Sequence, residues 1–146
     1  MTNRFTSCPF CNAKARIIIE RRTAFLILSN PRKVSGHFLV IPKRHVEKPW
    51  ELTPEERADI FDLILYVQEV LDDNNVSAGS DMCEHYRPFL KQGNIKVDHI
   101  HYHILPRDLF DRIYNTIEKY ETEDFYERLN DEEILRFKEL LNYTNN

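Results

Sequence analysis

The stretch Asp98-His99-Ile100-His101-Tyr102-His103-Ile104-Leu105-Pro106 decides how this chain is read. Residues 97–105 are predicted to form a strand, ended by Pro106. Side chains on a strand alternate faces with a period of two. His99, His101 and His103 therefore share one face, while Ile100, Tyr102 and Ile104 share the other. At ordinary strand rise the imidazoles are about 6–7 Å apart, a polar track on a rigid element. Imidazole serves as nucleophile, proton donor or metal ligand at neutral pH. The bland reading is three surface histidines on a half-exposed strand, but unbroken alternation with apolar residues favours a functional one.

Upstream, the β-branched run 16–20 and the apolar run 23–28 are separated only by Arg21-Arg22, which predicts an antiparallel hairpin despite an unfavoured turn pair. Asn30-Pro31 breaks the second strand, and Ser35-Gly36 turns the chain into a third over 37–42. Leu52-Thr53-Pro54-Glu55-Glu56 is a helix start: Thr53 caps, Pro54 fits the first position, and the glutamates favour the positive end of the dipole. Ile60, Leu63, Ile64, Val67, Val70 and Leu71 then recur at helical spacing, carrying the helix to about residues 72–75. Segment 76–95 has no sustained period and reads as a loop with one strand. Residues 109–142 mix charge with Leu, Ile, Phe and Tyr, which suggests two or three helices packed on the body.

The chain has 146 residues, 42% of them hydrophobic and 30% charged, ordinary for one soluble domain. Net charge is −4, so no basic field points to nucleic acid. Residues 1–106 hold 14 basic and 13 acidic side chains, and residues 107–146 hold 6 and 11, so the acidity belongs to the C-terminal part. No apolar run approaches a membrane span, and residues 1–7 lack the apolar stretch of a secretion signal. Three cysteines, two of them in Cys8-Pro-Phe-Cys11, argue against a disulfide framework and for a reducing cytoplasm.

The sequence resembles the histidine-triad (HIT) family of nucleotide hydrolases and transferases. His99-Ile100-His101-Tyr102-His103-Ile104-Leu105 matches its alternating signature, and Gly36-His37-Phe38-Leu39-Val40-Ile41-Pro42-Lys43-Arg44-His45 its upstream strand and turn. Cys8-Pro-Phe-Cys11 and the helix start at Glu51-Leu52-Thr53 also resemble family features, so the likeness covers roughly residues 8–107. The resemblance implies an α+β fold: an antiparallel sheet of about five strands, one long helix, and here a helical C-terminal extension over 108–146 of a single domain. It implies that His101 attacks the α-phosphorus of a nucleotide, giving a nucleotidyl-histidine that water cleaves. His103 would bind phosphate oxygens and protonate the leaving group. His37 would orient the triad; its plain alternative is a hydrogen-bonded core histidine.

Some proteins of the family with the Cys pair bind zinc there, which by resemblance makes Cys8, Cys11, His45 and His99 the ligands of a closed structural site. The competing reading is a metal-free Cys pair with His99 hydrogen-bonding inside the triad. The base slot would be Phe10 and Ile27, although both also suit a core. Where the family usually has an acidic ribose contact, this chain has Ser29-Asn30. Gln92, Asn94 and Arg107 are candidate phosphate contacts, together with the cations Arg87, Lys91 and Lys96.

The function implied is hydrolysis or transfer at the α-phosphorus of a dinucleoside polyphosphate or nucleoside phosphoramidate, in a homodimer. Two other readings stand beside it. One is a nucleotide-binding regulatory module with little turnover, and the other a zinc-dependent hydrolase using all three triad histidines as ligands.

Overall fold

Five short strands carry the site: β1 (Ile19–Glu20), β2 (Ala24–Leu28), β3 (Phe38–Pro42), β4 (Gly79–Glu84) and β5 (Tyr102–Arg107). They form one antiparallel sheet in the order β1-β2-β3-β5-β4. The long helix α1 (Pro54–Asp73) follows β3, and the shorter α2 (Arg112–Thr116) and α3 (Asp131–Asn142) come late in the chain. This computed structural model describes residues 7–93 and 95–142; Asn94, one of the candidate phosphate contacts, lies outside them. The chain divides into two compact units, the first reaching to Ile113 and the second beginning at Tyr114.

In the first unit both faces of the central strands are covered, which explains why 24–28 and 38–42 read as continuous apolar runs rather than alternating ones. Ala24, Leu26, Val40, Ile100 and Ile104 form one core with Ile60, Leu63, Ile64, Val67 and Leu71 of α1. Phe25, Ile27, Leu39 and Ile41 point the other way and form a second core with Cys8, Phe10 and Ala13 of the N-terminal loop. Register keeps the faces apart: Leu26 lies opposite Val40, and Ile27 opposite Leu39.

Helix α1 starts as its sequence predicts. Thr53 accepts a hydrogen bond from the Glu56 amide, and the Glu56 carboxylate accepts one from the Thr53 amide, a reciprocal capping box of the kind worth about 1 kcal/mol. Glu56 does a second job. Its buried carboxylate receives two hydrogen bonds from Arg44, Nε at 2.8 Å and a terminal nitrogen at 2.9 Å, tying the loop after β3 to the helix.

Three boundaries differ from the sequence reading. β1 starts at Ile19 because Lys14–Arg16 closes a 3₁₀ turn. The unfavoured hairpin turn is held by the helix: Thr23 donates through its amide (2.8 Å) and its hydroxyl (2.6 Å) to Asp59. The third difference bears on the site. Strand β5 covers Tyr102–Arg107, so His99 and His101 precede it on irregular backbone. The ladder gives way there because the Pro42 carbonyl is taken by the His99 ring (2.8 Å) and the Ile100 amide goes to Val46 (2.7 Å). At the other end β5 runs through Pro106. Its pairing with β3 has ended at Ile104, so a residue without an N–H is tolerated beside β4 alone.

In the second unit, Glu118–Tyr120 and Glu123–Phe125 are 3₁₀ turns and α3 is the main helix. Asn130 caps α3 by accepting from the Glu133 amide, and Asp131, Glu132 and Glu133 sit in its first turn, the positive end of the helix dipole.

Candidate active site and metal centre

Cys8 and Cys11 lie on the N-terminal loop, His45 on the loop after β3, and His99 three residues before β5. Chain folding brings their donor atoms within 4.8 Å of one another. The Cys8 and Cys11 sulfurs are 3.4 and 3.6 Å from His99 Nδ1, and the Cys11 sulfur is 3.3 Å from His45 Nδ1. A tetrahedral ion with bonds of about 2.3 Å to sulfur and about 2.0–2.1 Å to nitrogen spaces such donors about 3.5 Å apart. The four side chains therefore already outline a closed four-coordinate site.

Neighbouring groups aim the two imidazoles at that point. His99 donates from Nε2 to the Pro42 carbonyl, which leaves the Nδ1 lone pair facing the thiols. His45 has its Nε2 beside the Glu47 carboxylate at 3.2 Å, with Nδ1 again turned inward. Burial, with Cys8 alongside, pushes the Cys11 thiol up to about 11, so an ion must displace thiol protons to bind. The alternative in which His99 hydrogen-bonds inside the triad does not match this arrangement: its ring bonds to Pro42 and the thiols. His101 and His103 stand outside the four-donor group.

The remaining histidines are wired differently. The Lys33 amide donates to His37 Nδ1 at 3.1 Å, so that nitrogen is the acceptor and the His37 proton sits on Nε2. His37 Nε2 is 2.8 Å from His103 Nδ1 and donates to it. His103 must then carry its own proton on Nε2. One backbone amide thus sets two tautomers in series and leaves His103 with an N–H to offer. His101 donates from Nδ1 to the His99 carbonyl at 2.7 Å, leaving Nε2 with a lone pair. Burial and the other cationic or histidine groups hold His37 down to about 4 and His103 to about 2, and burial also lowers His101, so the neutral forms these bonds require persist at pH 7. Gly36 makes the placement of His37 feasible. Its φ of +74° is left-handed, and a β-carbon there would lie 3.1 Å from the Pro106 ring.

Two cavities share His101. The larger, about 780 Å³, is walled by Phe10, Leu39, His37 and His103 and by the turn 29–33. The smaller, about 230 Å³, is lined by Lys48, His85, Tyr86, Arg87 and Asp98. Phe10 meets the His101 ring edge-on at 5.0 Å between centroids, so the N-terminal loop bears directly on that histidine. Ser29, Asn30 and Gln92 also line the larger cavity. Ile27 does not; it is fully buried in the second core beneath. Arg107 lines neither cavity. It is engaged at the far end of β5 by Asp81 (2.5 Å) and Asp111 (2.6 Å).

A sequence profile of the HIT domain matches residues 11–109. The chain belongs to the HIT family. It is 29% identical over 129 residues to a bis(5'-adenosyl)-triphosphatase of Dictyostelium discoideum, covering 85% of each chain. It is 33% identical over 109 residues to an adenosine 5'-monophosphoramidase of Schizosaccharomyces pombe, covering 69% of this chain and 74% of the relative. A solved structure of a zinc-bound histidine triad family protein from Mycobacterium smegmatis is similar over 73% of this chain and 79% of that one, with a TM-score of 0.61 and 25% identity.

Within this HIT site, sequence reasoning missed four residues. His85 comes to 5.2 Å from His103, ring to ring, and its sequence neighbourhood has no period to announce it. It is found only through the register that sets Cys83 opposite His103. Arg16, Arg32 and Lys33 reach the larger cavity from the end of the first 3₁₀ turn and the turn after β2. For Arg32 and Lys33 the signal was a cation pair just after Ser29-Asn30, not distinguishable in sequence from a solvated face, and Arg16 gave none.

Proposed function

We propose that this protein hydrolyses nucleotides at the α-phosphorus through a covalent nucleotidyl intermediate on His101. The observation that carries the reading is the fixed pair of tautomers: a lone pair on His101 Nε2 and an N–H on His103 Nε2, beside the same cavity. In the first step His101 Nε2 bonds to phosphorus and the bond to the leaving group breaks. His103 Nε2–H hydrogen-bonds the leaving oxygen or nitrogen and stabilises the charge growing there; that group departs with the bonding pair and takes any proton it needs from solvent. The phosphorylated imidazole ring is cationic, and its Nδ1–H remains on the His99 carbonyl. In the second step water attacks phosphorus and loses a proton to solvent, and the P–N bond breaks with its electron pair returning to His101 Nε2.

The nucleoside would lie in the larger cavity against Phe10 and Leu39, with Ser29 and Asn30 near the ribose and Gln92 at the opposite wall. The printed activities of the Dictyostelium and Schizosaccharomyces relatives support a dinucleoside polyphosphate or nucleoside phosphoramidate as substrate.

Zinc is the ion that the two thiolates, two imidazoles and tetrahedral spacing fit best. With no position open to substrate, it would pin the N-terminal loop, and hence Phe10, to the segment carrying His101. A homodimer is supported by two features of the first unit: β4 is an edge strand, and α1 exposes Phe61, Leu65, Tyr66 and Val70. No helix among the described residues is long and apolar enough to cross a membrane, and Cys8, Cys11 and Cys83 are free thiols, which suits the reducing cytoplasm.

Rapid quenching with diadenosine tetraphosphate or adenosine phosphoramidate, followed by intact-protein mass measurement, tests the intermediate. Wild type should gain one nucleotidyl group, and His101→Gly none. Tight nucleotide binding with neither adduct nor product would instead identify a binding module.

A further inference from the structure

The larger cavity has a charge distribution that the proposed chemistry at His101 does not use. Arg16, Arg32 and Lys33 all line it, and no aspartate or glutamate does among the described residues. Residues 1–106 as a whole carry 14 basic and 13 acidic side chains, so this cavity is more basic than the part of the chain that builds it. Elsewhere in the first unit several cations are matched with carboxylates, among them Arg22 with Glu55, Lys43 with Glu20, Arg44 with Glu56, Lys96 with Asp98 and Arg107 with Asp81. Others, such as Lys14 and Arg57, face solvent. Among the described residues, none of the three cavity cations stands in such a pair.

Arg16 is anchored by a 2.8 Å hydrogen bond from its guanidinium to the Leu28 carbonyl, at the end of β2. Arg32 lies on the turn that presents Ser29 and Asn30 to the cavity. Lys33 follows, with its amide on His37, and its ammonium is close enough to help hold His37, His85 and His103 in their neutral forms. All three cations therefore line the cavity that also holds Ser29, Asn30, His37, His101 and His103. Three like charges around one cavity repel one another until an anion enters, and guanidinium groups suit phosphate because they can donate two parallel hydrogen bonds.

We infer that Arg16, Arg32 and Lys33 form a second phosphate subsite, which takes a phosphate of the substrate other than the one attacked. The inference rests on the nucleotide reading above and deepens it. A nucleotide carrying two phosphates would be preferred over one carrying a single phosphate, whether the second belongs to the 5' chain or to a ribose hydroxyl.

Calorimetric titration of the full chain with AMP, ADP, adenosine 2',5'-bisphosphate and adenosine 3',5'-bisphosphate tests this at one fixed salt concentration. At least one two-phosphate ligand should bind about tenfold tighter than AMP, and Arg32→Gln should bring that ratio down to about twofold or less. Arg32→Lys should keep part of the preference, and Arg16→Gln provides an independent second variant, with thermal melting used to confirm that each is folded. A gain confined to ADP assigns the subsite to the 5' chain; a gain with a 2'- or 3'-phosphate assigns it to the ribose side. Equal affinity for all four ligands in wild type, or a preference untouched by both Gln variants, overturns the subsite. Failure of AMP itself to bind would overturn the nucleotide reading and the subsite with it.

Discussion

His99 and His101 are two residues apart, point to the same side of the sheet and are both buried or half-buried, yet the structure equips them for opposite work. The His99 ring is closed off: Nε2 is tied to Pro42, and Nδ1 faces two thiols. The His101 ring is tied at one end only, by Nδ1 to the His99 carbonyl, and its other nitrogen borders two cavities. What separates the proposed ligand from the proposed nucleophile is which ring nitrogen a backbone carbonyl takes: Nε2 of His99, leaving Nδ1 to the thiols, and Nδ1 of His101, leaving Nε2 to the cavities. The comparison also has a spatial side. The His45–His99 corner draws together three separate loops, whereas in the His37–His101–His103 group the contacts are the Lys33 amide on His37, the His99 carbonyl on His101, and His37 on His103.

The sharpest test of that contrast is replacement of each histidine in turn. His101→Gly should lower kcat by about 10³-fold or more while the chain still melts cooperatively, because the covalent route is lost and the core is not. His99→Gly should do the reverse, lowering the melting temperature and metal content first. Equal losses of activity at unchanged stability in both variants would break the distinction.

Metal removal sharpens it from the other side. Elemental analysis should find one zinc per chain. A strong chelator should lower the melting temperature by several degrees, with the N-terminal loop becoming protease-sensitive, since metal binding is folding free energy when the ligands come from distant segments. Below the melting transition, turnover should survive chelation. Chelator-sensitive turnover in a chain that stays folded would restore the reading in which zinc takes part in the chemistry.

His37 should give an intermediate effect. His37→Ala leaves His103 free to choose its tautomer, and kcat should fall about 10²-fold with KM nearly unchanged. The pH response has a definite sign. His37 is held down to about 4, below the ordinary value of about 6.5. In acid, the unfolded chain takes up this proton first, so stability falls as pH drops below about 6.5 and the loss is complete once the folded value is passed. His37→Ala should reduce the slope of that part of the stability–pH curve, with the slope from the other lowered histidines remaining, as denaturant melts between pH 4 and 7 would show.

The smallest effect belongs to the metal-side loop. Arg44 precedes His45 and holds the buried Glu56 carboxylate, lowering its pKa mainly through their hydrogen bonds. That contribution is fully present above the ordinary carboxylate range and is lost as pH falls through the lowered folded value. Arg44→Met should therefore destabilise the protein by about 1–3 kcal/mol at pH 7 and by less at acid pH, measured by denaturant unfolding. No pH dependence in the difference would mean that Glu56 is held by the helix cap alone.

Much of the fold could be read locally. The helix cap at Thr53, the apolar period of α1 and the two central strands depend on nearest neighbours along the chain, and each was legible. The histidine track was legible in direction but not in regularity. Its faces alternate as expected, but His99 and His101 lie outside β5, because a side chain took the carbonyl that a ladder would have used. Arg107 and Ile27 show the opposite limit. Each lies in an informative segment, yet one meets Asp81 and Asp111 and the other sinks into the second core. His85 gave no sign at all, because it is placed by strand pairing across an unpatterned segment.

The sequence by itself determined the α+β architecture, the sidedness of the three histidines and the thiol pair that could meet them. These follow from periodicity and short spacing, which act over a few residues. Only the tertiary structure decided which nitrogen of each ring carries a proton, since that depends on the Lys33 amide and the His99 and Pro42 carbonyls arriving at particular atoms. It alone also decided that three cations line one cavity whose described walls hold no carboxylate, although Arg32 and Lys33 border a second cavity with Asp108 and Asp111. Charge along a chain says how many ions there are; only packing says which are left to find a partner.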